Sequence, residues 1–274
     1  HSFPTRRSSD LILSQMAADI LGTDLNNVVP FGVDTDISPY DSGSYASSTT
    51  YITGKAVAKA AENLREKIVK MGASMLEAEP NEVTFDGKCV EKKDKSAKVT
   101  LPEIGVRGTF GNNDALQVTE NCAAEISPPP YMVGMAEVEI DKETGSVELI
   151  DYVAVVDCGT PINPNLARVQ TEGGIAQGIG MALFEDIQYT EKGAMANNSL
   201  MQYKIPSRLD VGKIRVEFKP SYEKSHPFGA KSIGEIVIDT PCPAIANAVY
   251  NAVGLRVEEM PIKPTVRAKS RAMK

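Results

Sequence analysis

Apolar residues recur at three- and four-residue intervals in some stretches of this chain and alternate with polar ones in others. "LILSQMAADIL", Leu11 to Leu21, follows the first pattern and predicts a helix. A longer helix is predicted from Thr50 onward, where Ala58, Ala61, Leu64, Ile68 and Met71 share one face. "TLPEIGVRG" predicts a short helix, "VQTEGGIAQGIGMALFED" lies on a glycine-dotted one from about Leu166 to Leu183, and "PAIANAVYNAVG" on another starting behind Pro241 and Pro243. Alternation predicts strands. "NNVVPFGVDTD" reads as one, "NEVTFDGKCVEKK" as a pair turned at Asp86 and Gly87, "YMVGMAEVEIDKETGSVELIDYVAVVDCG" as a pair around "DKETG", and "KIRVEFKP" as a last strand.

Helices and strands in this order predict an α+β fold. A chain of 274 residues leaves one large domain or two lobes open. The run Pro128, Pro129, Pro130, where the pattern changes, marks the boundary we expect between a first lobe, 11–127, and a second, 128–274. Residues 1–10 read differently. "HSFPTRRSSDL" lacks the apolar core of a signal peptide and resembles a translated cloning scar, so His1 to Asp10 are expected to be a non-native leader.

Composition narrows the function classes. A formal net charge of −7 provides no electrostatic footprint for nucleic acid or an anionic membrane. No apolar run is long enough to predict a membrane-spanning helix. Cys89, Cys122, Cys158 and Cys242 lie far apart, and with two histidines in the chain a metal held by protein side chains is not expected. Four reduced, buried or half-buried thiols fit a cytoplasmic setting.

Local motifs leave several residues open. Ser47 to Thr50 sit near the start of the long helix, where they could cap it or help bind an anion at its positive end. Gly173, Gly174, Gly178 and Gly180 cost a helix stability, so packing or a ligand must call for them. They do not form the GxGxxG of a dinucleotide site, and Walker A, HExxH, GxSxG and EF-hand patterns are absent. Asp34 and Asp36 are at most a fragment of an oxygen-ligand site, and read as solvated or capping acids. His226, before a proline, reads as a surface or packing residue, with a supporting role behind a site also open. Glu235 closes the small-residue loop "GAKSIGE" as either a loop acid or a positioned general base.

Taken together, "SPYDSGSYASSTTYITG", "VVDCGTPINP", "VQTEGGIAQGIGMALFED" and "GAKSIGEIVIDTPCPAIANAVYNAVG", in this order and spacing, resemble the C-terminal part of the molybdopterin-binding subunit of the xanthine dehydrogenase/aldehyde oxidase family. The likeness covers nearly all of Leu11 to Arg267 and is greatest to split enzymes hydroxylating purines or nicotinate. It implies two mixed helix/sheet lobes of a molybdenum cofactor-binding domain. It also implies that Ala46, Ser47, Ser48, Thr49 and Thr50 wrap the pterin cofactor, that Gln170 hydrogen-bonds it, and that Lys231 lies beside it. Glu235 matches the family's general base. The metal is then held by the pterin, possibly in a dinucleotide form, which accounts for the missing protein ligand cluster.

Departures shape the rest of the expectation. Ser48 stands where many relatives carry Arg, and the family's Gly-Phe-Gly loop, GQG segment and substrate-orienting residues have no counterpart here. The chain is therefore expected to be a gene fragment or the smaller molybdenum subunit of a split enzyme, inactive without a large molybdopterin subunit or the upstream half. FAD and [2Fe-2S] clusters are expected only on partner subunits, and the substrate to be a small N-heteroaromatic ring. A non-catalytic scaffold or assembly subunit, an aldehyde-oxidising relative and an unrelated α+β binding domain are the alternatives.

Overall fold

The computed structural model of the chain describes residues 8–264, apart from 32–33, 35, 37–39, 41–42, 112–114 and 124. Most of the expected leader and the basic end therefore lie outside the described residues. The chain divides into two units, His1–Ser127 with Lys224–Ala230, and Pro128–Glu223 with Lys231–Lys274. Lys224–Ala230, which the proline boundary assigns to the second lobe, thus belongs to the first unit.

In the first unit, α1 (Ser8–Leu21) lies against α2 (Gly54–Met75). Ser8 to Asp10, set aside as leader, form the first turn of α1. Helix α2 buries Ala58, Ala61 and Ile68, as its spacing predicts, and keeps Leu64 and Met71 half-buried. A three-stranded antiparallel sheet follows, β1 (Val83–Phe85), β2 (Cys89–Lys92) and β3 (Lys98–Thr100). Its first turn works as the Asp-Gly pair predicts: the Asp86 carboxylate accepts the amides of Lys88 and Cys89 at 2.8 Å, and Gly87 takes φ +89°. The short helix α3 (Leu101–Phe110) starts at a capping box between Thr100 and Glu103. Ile68, Val83, Phe85, Val90, Val99 and Ile104 close a small core.

One expected strand is not formed among the described residues. Within "NNVVPFGVDTD", Leu25–Asn27 make a single 3-10 turn whose Asn26 amide is held by the Asp24 carboxylate at 2.8 Å. Val29 and Phe31 beyond it are exposed, and no described residue of the stretch pairs with a strand. Alternation alone is insufficient where no neighbour takes the backbone amides.

The second unit is built on a mixed sheet. β4 (Tyr131–Ile140) and β5 (Val147–Asp157) form the long antiparallel pair predicted around "DKETG". From β5 the chain enters α4 (Pro164–Leu183) and then β6 (Lys213–Phe218), which runs parallel to β5. Parallel neighbours need such a crossover. A short helix, α5 (Ile236–Asp239), which the sequence did not predict, leads into α6 (Pro241–Val253), and Gly254 ends α6 in the left-handed conformation. Leu149, Tyr152, Ala154 and Val156 of β5 pack with Ile175 and Ile179 of α4 and Ile245 and Val249 of α6. The Tyr152 hydroxyl, buried in this core, donates to Thr240 Oγ1 at 2.8 Å.

Close approach explains most of the glycines of α4. A methyl added at Gly178 would lie 2.6 Å from Pro241 Cγ and 3.0 Å from the Ile238 carbonyl oxygen, and one at Gly174 would overlap Val237. One added at Gly180 would overlap the Glu185 side chain, whereas one at Gly173 would meet nothing within 4 Å. Gly178→Ala is therefore expected to destabilise the protein by about 1–3 kcal/mol through overpacking, despite its better helix propensity. Gly173→Ala should stabilise it by up to about 1 kcal/mol. Urea unfolding of both variants checks this, and a stabilised Gly178→Ala would show that the α4–α5 approach is not what demands glycine.

Candidate functional site

The segment Ala46 to Thr50 belongs to the first unit and has an unusual backbone. Ala46 and Ser47 take φ +50° and +54° in succession, a conformation that costs non-glycine residues on the order of 1–3 kcal/mol each. The chain then makes a π turn, Thr49–Thr53, before α2 begins. Within it, Ser48 N–H donates to the Tyr45 carbonyl at 3.2 Å and Ile52 N–H to the Ser48 carbonyl at 2.7 Å. Neither Ser48 nor Thr53 caps the following helical turn with its side chain. Ser48, which stands at the cap position of the π turn, therefore does not cap it with its hydroxyl.

What this segment offers is a set of donors. Ala46 to Thr50 carry no acidic side chain, their residues 47–50 are half-buried, and they lead into the positive end of a helical run. Successive backbone amides in turns of this kind form concavities for anionic oxygen. The strain at Ala46 and Ser47 is local, and small side chains keep the backbone approachable. The segment thus has the chemistry of an anion-binding turn.

Gln170 stands on α4 in the second unit. Asn163 caps this helix through its side-chain oxygen, which accepts the Leu166 amide at 3.1 Å, and Pro164 occupies its first turn. One face is buried through Thr171, Gly174, Ile175, Gly178 and Ile179. Gln170 and Gly173 are exposed, one turn apart. The amide of Gln170 thus sits beside a position where the helix carries no side chain, an arrangement suited to a flat ligand edge.

Lys231 is 9% exposed and its ammonium is paired with Asp157 at 2.9 Å. Asp157, at the end of β5, also accepts the Gly159 amide at 2.9 Å and the Ser221 hydroxyl at 2.8 Å. Partial burial works against its charged form, but these donors outweigh it and hold its pKa below the ordinary value. Lys231 N–H donates to the Cys158 carbonyl at 2.8 Å, so main chain and side chain of the same residue are tied to one strand end. The Nζ also lies 5.4 Å from the centre of the Tyr131 ring. Sequence reasoning singled out Lys231 but not Asp157 or Ser221. The acid in "VVDCG" was the available signal.

Glu235 precedes α5, with φ −93° and ψ −39°, and its carbonyl accepts the Ile238 amide at 3.0 Å. Its side chain is exposed. Four residues after the Lys231 anchor, this carboxylate projects from a backbone fixed at both ends.

The remaining candidates are structural. Asp34 accepts the Asp36 amide at 3.0 Å, a turn contact. Among the described residues, no group of three or more His, Cys, Asp and Glu side chains could hold a metal ion. All four cysteines are free thiols, and burial pushes the Cys158 thiol up to about 11, away from reactivity. No described helix is long and apolar enough to cross a membrane. His226, open from sequence between packing and support, is 1% exposed in the first unit.

The lowered Asp157 pKa has a definite sign. A carboxylate whose pKa falls on folding adds stability that is fully present above its unfolded value, near 3.8, and is lost as pH drops below it. Asp157→Asn should therefore flatten the loss of stability between pH 5 and pH 2 relative to the wild type, as measured by urea unfolding across about that range. At neutral pH, Lys231→Met should cost about 1–3 kcal/mol, because it leaves the Asp157 carboxylate without its cation. Equal pH slopes for the wild type and Asp157→Asn would contradict the assignment.

Comparison with known proteins shows the family. Residues 7–212 match the model of the molybdopterin cofactor-binding domain. The chain is 36% identical over 259 residues to "Probable hypoxanthine oxidase XdhD" of Escherichia coli, covering 93% of this chain and 27% of that protein. It is 32% identical over 268 residues to the 6-hydroxypseudooxynicotine dehydrogenase complex subunit gamma of Paenarthrobacter nicotinovorans, covering 93% and 33%. Its fold superposes on quinoline 2-oxidoreductase of Pseudomonas putida 86 with a TM-score of 0.79 at 28% identity, covering 98% of this chain and 36% of that one. The chain thus spans about a third or less of the curated relatives named here. It belongs to the xanthine dehydrogenase/aldehyde oxidase family, as a portion of the molybdopterin-binding subunit with an α+β fold.

Proposed function

We propose that this chain supplies a cofactor loop and the general base of a molybdenum hydroxylase that oxidises an N-heteroaromatic substrate with oxygen from water. The observation that carries the reading is the strained, donor-rich backbone of Ala46 and Ser47, which leads into α2 within the segment matched by the cofactor-binding domain. A packed helix start gains nothing from two left-handed residues in succession, whereas an anion held on their amides offsets the cost.

Ala46, Ser47, Ser48, Thr49 and Thr50 would bind the pterin and its phosphate through amides and hydroxyls. Gln170 would bond a polar edge of the pterin, with Gly173 leaving room for it. Lys231, neutralised by Asp157, would lie beside the cofactor as part of a rigid loop rather than as an unpaired charge. The bound molybdenum cofactor supplies the two-electron redox chemistry. Glu235 takes up the proton released at the attacking oxygen, and its anchored backbone restricts where that proton can go. Relatives named for hypoxanthine, 6-hydroxypseudooxynicotine and quinoline favour a nitrogen heterocycle as substrate. Relatives named as a complex subunit and as a large chain support partner subunits, which in this reading are a large molybdopterin subunit and carriers of [2Fe-2S] clusters and FAD.

The test uses the chain purified with its complementary polypeptides. Molybdenum and pterin should co-purify, and Glu235→Gln should lower kcat by about 10²–10⁴ while leaving molybdenum content unchanged, since it removes a base and keeps the side-chain volume. Absence of molybdenum from the complete assembly would leave a scaffold role. Loss of the metal from Glu235→Gln would instead make that residue structural.

A further inference from the structure

His226 is a buried polar residue that the reading above does not use. Its ring sits among Tyr51 and Phe228, with centroids 5.7 and 6.3 Å away. Nδ1 faces two backbone donors, the Phe228 amide at 3.2 Å and the Ala230 amide at 3.4 Å. Nε2 faces the carbonyl of Thr50 at 3.2 Å. These partners assign the tautomer: a nitrogen meeting two N–H groups must accept, and one meeting a carbonyl must carry the proton.

The surroundings are shaped for this ring. A methyl added at Gly54, the first residue of α2, would stand 3.2 Å from Nε2 and 3.0 Å from Met16 Sδ, so glycine there leaves room for the imidazole. Beside it, the Tyr51 hydroxyl and Ser225 Oγ share a hydrogen bond of 2.6 Å. Two adjacent residues of the π turn, Thr50 and Tyr51, are thus joined to two nearly adjacent residues of the 224–230 loop. The π turn closes through a wide i→i+5 hydrogen bond, Gly54 N–H to the Thr49 carbonyl, a ring size rarely sustained beyond a single turn. Tyr51 and His226 hold it from outside.

We propose that His226 is a positioning residue for the cofactor loop: its Nε2–H holds the Thr50 carbonyl, and so sets the direction of the amides from Ala46 to Thr50. The proposal rests on the reading that these residues bind the cofactor. It also links two motifs far apart in sequence, since the same ring orders Phe228 to Ala230, the backbone that immediately precedes Lys231.

Two substitutions separate the ring's functions in the cofactor-loaded assembly. Asn keeps an acceptor near the Nδ1 position but is too short to reach Thr50, whereas Gln can place an N–H near Nε2. The readouts are molybdenum and pterin retained per chain and the rate of cofactor release after gel filtration, alongside the thermal midpoint. His226→Asn should release cofactor about tenfold faster than the wild type, the scale of one lost hydrogen bond. His226→Gln should stay within about threefold, restoring retention through the Thr50 bond. Equal release from the two variants, or release at the wild-type rate from His226→Asn, overturns the proposal. If His226→Asn does not fold, Gly54→Ala replaces it, keeping the imidazole but crowding Nε2; faster release is again expected, and wild-type release overturns the proposal. Ala46→Pro tests the underlying reading separately, because proline cannot adopt φ +50°. Retention of cofactor by Ala46→Pro would remove the loop's binding role, whereas its loss together with unaffected His226 variants would remove only the role of His226.

Discussion

The buried ammonium of Lys231 is the constraint around which the loop from Lys231 to Glu235 is arranged. A cation in this position is tolerated only if a carboxylate meets it and the carboxylate's remaining lone pairs are also used. Asp157 provides the first, and the Gly159 amide and Ser221 hydroxyl provide the second. The pair therefore fixes Lys231 to the end of β5 at the point where the chain passes from the first unit into the second. Its backbone bond to Cys158 makes the attachment directional. Glu235 inherits this fixation four residues on, and α5 holds it from the other side. A base needs such a platform, because an unanchored acid in a glycine-containing loop would spend most of its time away from the reacting atom.

This arrangement changes what the charge at Lys231 would mean for a ligand. With Asp157 beside it, the lysine brings little net attraction for an anion. Its contribution is shape and fixed direction. In the reading proposed for Ala46 to Thr50, attraction for a phosphate comes from backbone amides, which carry their dipoles without a counter-charge. The segment Ala46 to Thr50 is itself uncharged, which is consistent with that distribution.

Much of the fold was legible because it is local. The alternation of β4 and β5, the Asp86-Gly87 turn, the Thr100 capping box and the apolar face of α2 all lie within a few residues of their causes. The failed strand near Val29 shows the limit, since pairing depends on a neighbour that local sequence does not reveal. The same limit governs the site. Lys231 meets an acid 74 positions away and His226 a carbonyl 176 positions away, so neither partner follows from spacing. Glu235 and the Ala46–Thr50 loop were singled out because several motifs in order resemble one family, local pattern leaving their roles open. His226 was visible as a histidine but not as a hydrogen-bond junction.

The glycines of α4 show how one residue type can answer two demands on one helix. Gly174 and Gly178 are four apart and face the α5 and α6 segments, where an added methyl would overlap Val237 or approach Pro241. Gly173 precedes them by one position and therefore points about 100° away around the helix. No protein atom within 4 Å would oppose a side chain there, so packing within this chain does not account for glycine at that position. Helix propensity argues against it by about 1 kcal/mol. On the proposed reading that Gln170 bonds a planar pterin edge, Gly173 leaves the backbone beside it open. The inward glycines make the helix fit its own unit, and the outward one leaves room for that proposed ligand.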